Sequence, residues 1–285
     1  MKTRILTTVL LILTCEVIAQ QEDIRYRPGM FATEQYLYAA QQDGLYKLDL
    51  INESSAEWEL AAFAGIPIRQ VVIKGDSIIA TTALEGPDSL LLFSADGGNT
   101  FVDCTPASLW VQNRINETVS IQPYCMTVSP DNESVLVVDV FNSGVYKSVD
   151  FGKTWSLFPD PDIIPGVFVA YNPNDSKQLF FCYEAMTMSG EIGMSIDDGM
   201  TSMTVFQTSA AWIHGIAFHP KNKSKMFAFG TSVFAVSNDQ GYTWTNLKYK
   251  LKQEFRSIVF RAAVYEGNGI YAVECDNNEI NIFYS

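Results

Sequence analysis

Cations able to hold an anionic group are scarce in this chain. Beyond residue 19 it has six arginines, Arg25, Arg27, Arg69, Arg114, Arg256 and Arg261, and two histidines, His214 and His219. An arginine fork matches a carboxylate bidentately, and two carboxyl groups in unequal surroundings can divide the work of acid and base. Arg27, Arg69 and Arg256 are candidates for a carboxylate clamp, with Asp139 and Glu184 as candidate acid and base. Arg69, Arg256 and Glu184, joined by Tyr124 and His214, could instead bind a polar ligand without turning it over. No spacing of histidine and cysteine suits a metal, and neither a metal nor a cofactor is expected.

These groups need a scaffold, and the sequence supplies one as a repeat. Residues 94–101, 148–155, 195–202 and 237–244 share the pattern Ser-x-Asp-x-Gly-x-Thr-aromatic, except that the third ends in Ser202. Each follows a short apolar strand. In such a turn Asp accepts backbone N–H bonds, and Gly takes a conformation that other residues resist. Ser and Thr tie the strand ends, and the aromatic ring packs between neighbouring sheets. Asp96, Asp150, Asp197 and Asp239 are therefore structural. Taking Leu48, Ser94, Ser148, Ser195, Ser237 and Ser285 as equivalent gives spacings of 46, 54, 47, 42 and 48 residues. That is the period of one four-stranded sheet. Inner strands are predicted at 68–73, 123–128, 166–171, 213–218 and 255–260, each followed by a second strand. Helical periodicity is absent throughout.

The four turns resemble the Asp-box, or BNR, repeats of a β-propeller superfamily that includes sialidases and the ligand-binding propeller of sortilin receptors. The resemblance covers nearly all of the chain after residue 19. It implies an all-β, six-bladed β-propeller spanning residues 20–285, with Asp-box hairpins between the outer strands. It also implies two unlike faces. Fourth-to-first and second-to-third connections share the ligand face, while the boxes and first-to-second turns lie opposite. Inner-strand starts would then bring Arg69, Tyr124, His214 and Arg256 to a channel mouth, among acids that include Asp139 and Glu184. A sialidase would carry Phe/Tyr-Arg-Ile-Pro near its start, where this chain has Tyr26-Arg27-Pro28. No paired catalytic Tyr and Glu match by motif. The expectation is a non-catalytic module that binds a glycan or a protein; the alternative is a sialidase-like glycoside hydrolase acting on acidic sugars.

Residues 1–19 read as a secretory signal: Lys2 and Arg4 precede a short apolar run, and Val17-Ile18-Ala19 offers a small-residue cleavage site. Cleavage would shift the net charge from −13 to about −14. So acidic a chain repels nucleic acid, and the apolar run is too short to span a membrane. The expected molecule is a secreted, extracellular monomer whose partner is a glycan or a secreted or cell-surface protein. Four cysteines follow the leader, and Cys104 and Cys125 bracket a long connection that a disulfide could close, leaving Cys182 and Cys275 free. Sequons at Asn52, Asn116, Asn132, Asn174 and Asn222 are acceptors for N-glycosylation.

Overall fold

The computed structural model describes residues 30–284 apart from 34, 52–56, 85–89, 106–109, 113–117, 121–122, 132–133, 140–144, 159–167, 186–188, 210–211, 220, 232, 248–258, 267–268 and 277–278. Every regular element among them is a β-strand. The first sheet runs β1 (Met30–Ala32), β2 (Tyr36–Gln41), β3 (Gly44–Asp49) and β4 (Glu59–Ala62). The second runs β5 (Ile68–Lys74), β6 (Ser77–Thr82), β7 (Leu91–Ser94) and β8 (Val102–Asp103). A separate hairpin, β9 (Trp110–Gln112) with β10 (Thr118–Ser120), interrupts the order. The third sheet is β11 (Pro123–Val128), β12 (Val135–Asp139), β13 (Val145–Ser148) and β14 (Ser156–Leu157). The fourth is β15 (Phe168–Asn172), β16 (Asp175–Ala185), β17 (Ser189–Ser195) and β18 (Met203–Ser209).

The fifth sheet has seven strands. β19 (Trp212–Phe218), β20 (Met226–Thr231), β21 (Val233–Ser237) and β22 (Thr245–Asn246) repeat the pattern, and β23 (Val259–Glu266), β24 (Gly269–Asp276) and β25 (Glu279–Tyr284) join them. Among the described residues the junction is one residue pair, Thr231 opposite Val259. The sequence predicts a separate sixth sheet here, whereas the structure extends the fifth by this one pair. All strand neighbours are antiparallel, with alternating apolar side chains such as Ile78, Ile79 and Ala80 buried on both faces of the sheet.

Consecutive sheets pack face to face. Leu45, Phe63, Ile68 and Leu92 fill the layer between the first and second, and Ile79, Leu91, Met126 and Tyr146 that between the second and third. Val145, Phe158, Val169 and Phe181 join the third to the fourth, and Phe180, Ile192, Ile216 and Met226 the fourth to the fifth. A fully buried Phe180 or Leu179 contributes about 1.5–3 kcal/mol by removal from water.

The Ser-x-Asp-x-Gly-x-Thr turns lock these layers. In the fourth sheet the Ser195 hydroxyl donates to Asp197 Oδ1 at 2.8 Å and accepts the Gly199 N–H at 2.9 Å. Asp197 in turn accepts from the Thr201 N–H and hydroxyl at 2.9 and 2.7 Å. The same bonds recur around Asp96, Asp150 and Asp239. The residue after each Asp is left-handed, with φ of 70° at Gly97, 52° at Phe151, 59° at Asp198 and 62° at Gln240. In three turns its N–H bonds a carbonyl at or beside the first-to-second turn of the same sheet: Asp76 O, Lys177 O and Ser224 O. The following glycine lies on the preceding sheet. A methyl group at Gly199 would sit 1.7 Å from Phe158 Cζ, and one at Gly241 2.5 Å from Phe180 Cε1. Gly98 and Gly152 meet Ala62 and Ile79 in the same way.

The expected Cys104–Cys125 disulfide is not formed. Both residues are free thiols that serve different layers. Cys104 donates to Leu91 O and packs between the second and third sheets, whereas Cys125 donates to Val169 O between the third and fourth. Cys182 is a buried thiol outside any disulfide. The connection read as a long loop contains the β9–β10 hairpin.

Candidate functional site: the starts of the inner strands

The first strands of successive sheets lie side by side: β1 beside β5, β5 beside β11, then β15, β19 and β23. Side chains bond across these seams. Gln70 Oε1 accepts the Met126 N–H at 2.7 Å, and Thr127 Oγ1 accepts the Tyr171 N–H at 3.2 Å. Between β1, β5 and β11 lies a cavity of about 230 Å³, lined by Phe31, Val72, Met126 and Val128 with Gln70 and Thr127 as its polar side chains. Its apolar walls suit packing more than chemistry.

The chemistry-bearing residues stand near one end of these strands, at breaks in register. On β5 Ile68 faces Thr82 and Gln70 faces Thr81, so Arg69 is an extra residue. On β11 Pro123 faces Asp139 and Cys125 faces Val138, which leaves Tyr124 extra. On β19 Ile213 faces Gly230 and Gly215 faces Phe229, which leaves His214 extra. On β23 Phe260 faces Glu274 and Ala262 faces Val273, which leaves Arg261 extra. Two residues against one is the definition of a β-bulge, a device that re-aims a side chain at the rim of a sheet. Four strands thus carry the bulge at one equivalent position, occupied by Arg, Tyr, His and Arg. Arg69 is buried, at 7% exposure, and His214 is half-buried.

Arg69, Tyr124 and His214 therefore occupy the equivalent positions that the sequence assigned to them. Arg256 lies outside the described residues, and on β23 the bulge falls at Arg261. The sequence alignment followed the apolar run of 255–260. Counting back from the hairpin turn would have found Arg261, since Arg69 lies five residues before Lys74, the last of its strand, and Arg261 five before Glu266. Arg27 also lies outside the described residues, as do Asn52, Asn116 and Asn132. Asp139 ends its ladder opposite Pro123, next to the Tyr124 bulge. Glu184 lies opposite Gly190 on β17, two residues past the Cys182–Phe168 pair.

The turn aspartates are committed elsewhere. Hydrogen bonds from the Thr100 and Thr201 hydroxyls, then from their N–H groups, hold the carboxyls of Asp96 and Asp197 down at about 2. Burial pushes Asp150 up, but bonds from Thr154 and Ser148 outweigh it and leave the carboxyl below its ordinary range. The Thr243 hydroxyl lowers Asp239 likewise. A carboxylate saturated by its own turn is a poor proton donor at neutral pH. No cluster of His, Cys, Asp and Glu able to hold a metal exists among the described residues.

No family model matches the chain, and no curated protein matches it. Solved structures do. A chain of the nidogen/laminin complex is 14% identical with a TM-score of 0.59, over 87% of this chain and 88% of that one. The extracellular domain of BT4673 from B. thetaiotaomicron is 11% identical with a TM-score of 0.60, over 92% of this chain and 33% of that one. An ancestral GH74 enzyme is 15% identical with a TM-score of 0.56, over 91% and 38%. At these identities the likeness is one of fold. Together with the radial succession of antiparallel sheets, it makes the chain a β-propeller. Among the described residues no helix is long and apolar enough to cross a membrane.

Proposed function

We propose that this chain is a secreted, monomeric, six-bladed β-propeller of the Asp-box kind, and that it acts as a non-catalytic binding module. In this reading β23–β25 are the sixth blade, and the Ser-x-Asp-x-Gly-x-Thr turns are its Asp-boxes. The ligand is a glycan or a secreted or cell-surface protein, held on the face where the inner strands begin. The observation that carries this is the shared bulge at Arg69, Tyr124, His214 and Arg261. Four strands distant in sequence place polar or cationic side chains at one register, in a chain whose net charge is −13. The surrounding apolar strands give these groups a rigid frame. One relative in fold belongs to a protein–protein complex, which supports a protein ligand as one class. The leader-like segment before residue 20 supports secretion.

The test uses the full chain on an array of acidic and neutral glycans and of extracellular matrix proteins, with a fluorogenic sialoside assayed in parallel. Binding without turnover, weakened at least tenfold by Arg261→Ala or Tyr124→Ala in variants with an unchanged circular dichroism spectrum, is the expected result. Sialoside turnover that disappears in Arg256→Ala would establish the glycosidase alternative in its place. Silence on every surface would remove the binding reading.

A further inference from the structure

Two of the sequons fall at equivalent, exposed places. Asn174 lies in the turn between β15 and β16, and Asn222 in the connection between β19 and β20. Each is the first-to-second turn of its sheet. At or beside each of these turns the chain is bonded to the Ser-x-Asp-x-Gly-x-Thr turn of the same sheet: the Asp198 N–H reaches Lys177 O, near the start of β16, at 2.8 Å, and the Gln240 N–H reaches Ser224 O at 3.0 Å. The two sequons therefore share the end of the array that carries those turns, opposite the bulged strand starts.

Their local chemistry suits an acceptor. Asn222 Oδ1 accepts the Ser224 N–H at 3.1 Å, which folds the sequon's third residue back onto the carboxamide. This Asx-turn engages the oxygen of an exposed side chain. At Asn174 the backbone N–H is held by Asn172 Oδ1 at 3.0 Å, while Nδ2 touches that oxygen only at 3.5 Å. A bond that long is weak, so the side chain can swing into solvent at little cost.

We infer that Asn174 and Asn222 are N-glycosylated, and that their glycans lie on the turn-bearing face, away from the bulged strand starts. This rests on the secreted reading above. In the transfer, Nδ2 loses one proton and bonds the sugar C1 carried by a lipid-pyrophosphate-linked oligosaccharide. The C1–O bond breaks, and the lipid pyrophosphate leaves with the bonding pair. A glycan on such a turn needs no rearrangement of the sheet, because both side chains are already exposed.

The experiment expresses the full chain with its own leader in a eukaryotic secreting cell and measures intact mass before and after peptide-N-glycosidase. Asn222→Gln and Asn174→Gln should each remove one glycan. Ser224→Ala should remove the same glycan as Asn222→Gln, and Ser224→Thr should retain it. Secreted protein whose mass the glycosidase does not change overturns the inference. Should the chain stay inside the cell, the secretion reading fails by itself; a substituted leader then sends the chain through the same cell, and occupancy of the two sites decides the inference separately. Ligand binding by the face of the bulged strands should not change when the two glycans are removed, and a loss of binding would contradict the assignment of faces.

Discussion

Replacing Gly199 by alanine tests whether the turns lock one sheet onto the next. The backbone there has φ +85°, and the new Cβ would lie 1.7 Å from Phe158 Cζ and 2.4 Å from its Cε1. Phe158 is buried and faces Phe181, so it cannot turn away freely. Left-handed backbone costs an L-residue about 1–2 kcal/mol. Overpacking a tight core costs a further 1–3 kcal/mol or so. The sum is about 2–5 kcal/mol, a large part of the ~5–15 kcal/mol that holds a typical domain folded. Gly97 supplies the control, because its φ is +70° but nothing lies within 4 Å of an added Cβ. Gly97→Ala should cost the backbone part alone, about 1–2 kcal/mol. Urea unfolding followed by tryptophan fluorescence measures both. The double variant Gly199→Ala/Phe158→Ala should be less destabilised than the sum of its singles, since the second change removes the clash. Equal losses at Gly97 and Gly199, or strict additivity in the cycle, would refute the locking role.

Three further outcomes follow from the same geometry. The carboxyls of Asp96 and Asp197 sit near 2 when folded, against an ordinary value near 4, so their stabilisation is complete above about pH 4 and lost as pH falls toward 2. Asp197→Asn should flatten the acid limb of a stability–pH curve measured by chemical denaturation, and an unchanged slope would contradict this. Lys147 Nζ pairs with Asp198 Oδ2 at 2.5 Å and Tyr171 Oη donates to Asp198 Oδ1 at 2.8 Å, with the Lys147 side chain 12% exposed. Asp198→Ala should therefore cost about 1–2 kcal/mol, and in a double-mutant cycle Lys147→Met should reduce that cost without abolishing it, because the Tyr171 bond is lost in either background. Burial pushes the Cys104 thiol up to about 12 and the Cys125 thiol to about 11. Ellman's reagent at pH 8 should leave both unmodified until the protein unfolds, and reductant should leave the melting temperature unchanged; a Cys104–Cys125 peptide in a non-reducing digest would overturn both expectations.

Periodicity made most of the scaffold legible. The inner strand predicted at 123–128 is β11, and those at 68–73 and 213–218 match β5 and β19 to within a residue. Alternating apolar residues and motif spacing fix such strands locally, because one face of each must be buried. The β9–β10 hairpin escaped because its three-residue strands are too short to show a period. Arg261 was missed for another reason. A bulge inserts one residue into the ladder, and no apolar pattern announces where the extra residue falls. The cysteine pairing failed because closeness along the chain says nothing of which layer a side chain enters. Cys104 and Cys125 flank one connection yet face opposite sides of the third sheet.

The glycines of the turns give the array a direction. Gly98, Gly152, Gly199 and Gly241 each rest on a side chain contributed by the sheet that comes earlier in the chain. Each of these turns thus closes onto the preceding sheet, in the order in which the chain is made. As the polypeptide leaves the ribosome, the order of synthesis and the order of this closing coincide, so each new sheet meets a packing surface that is already made.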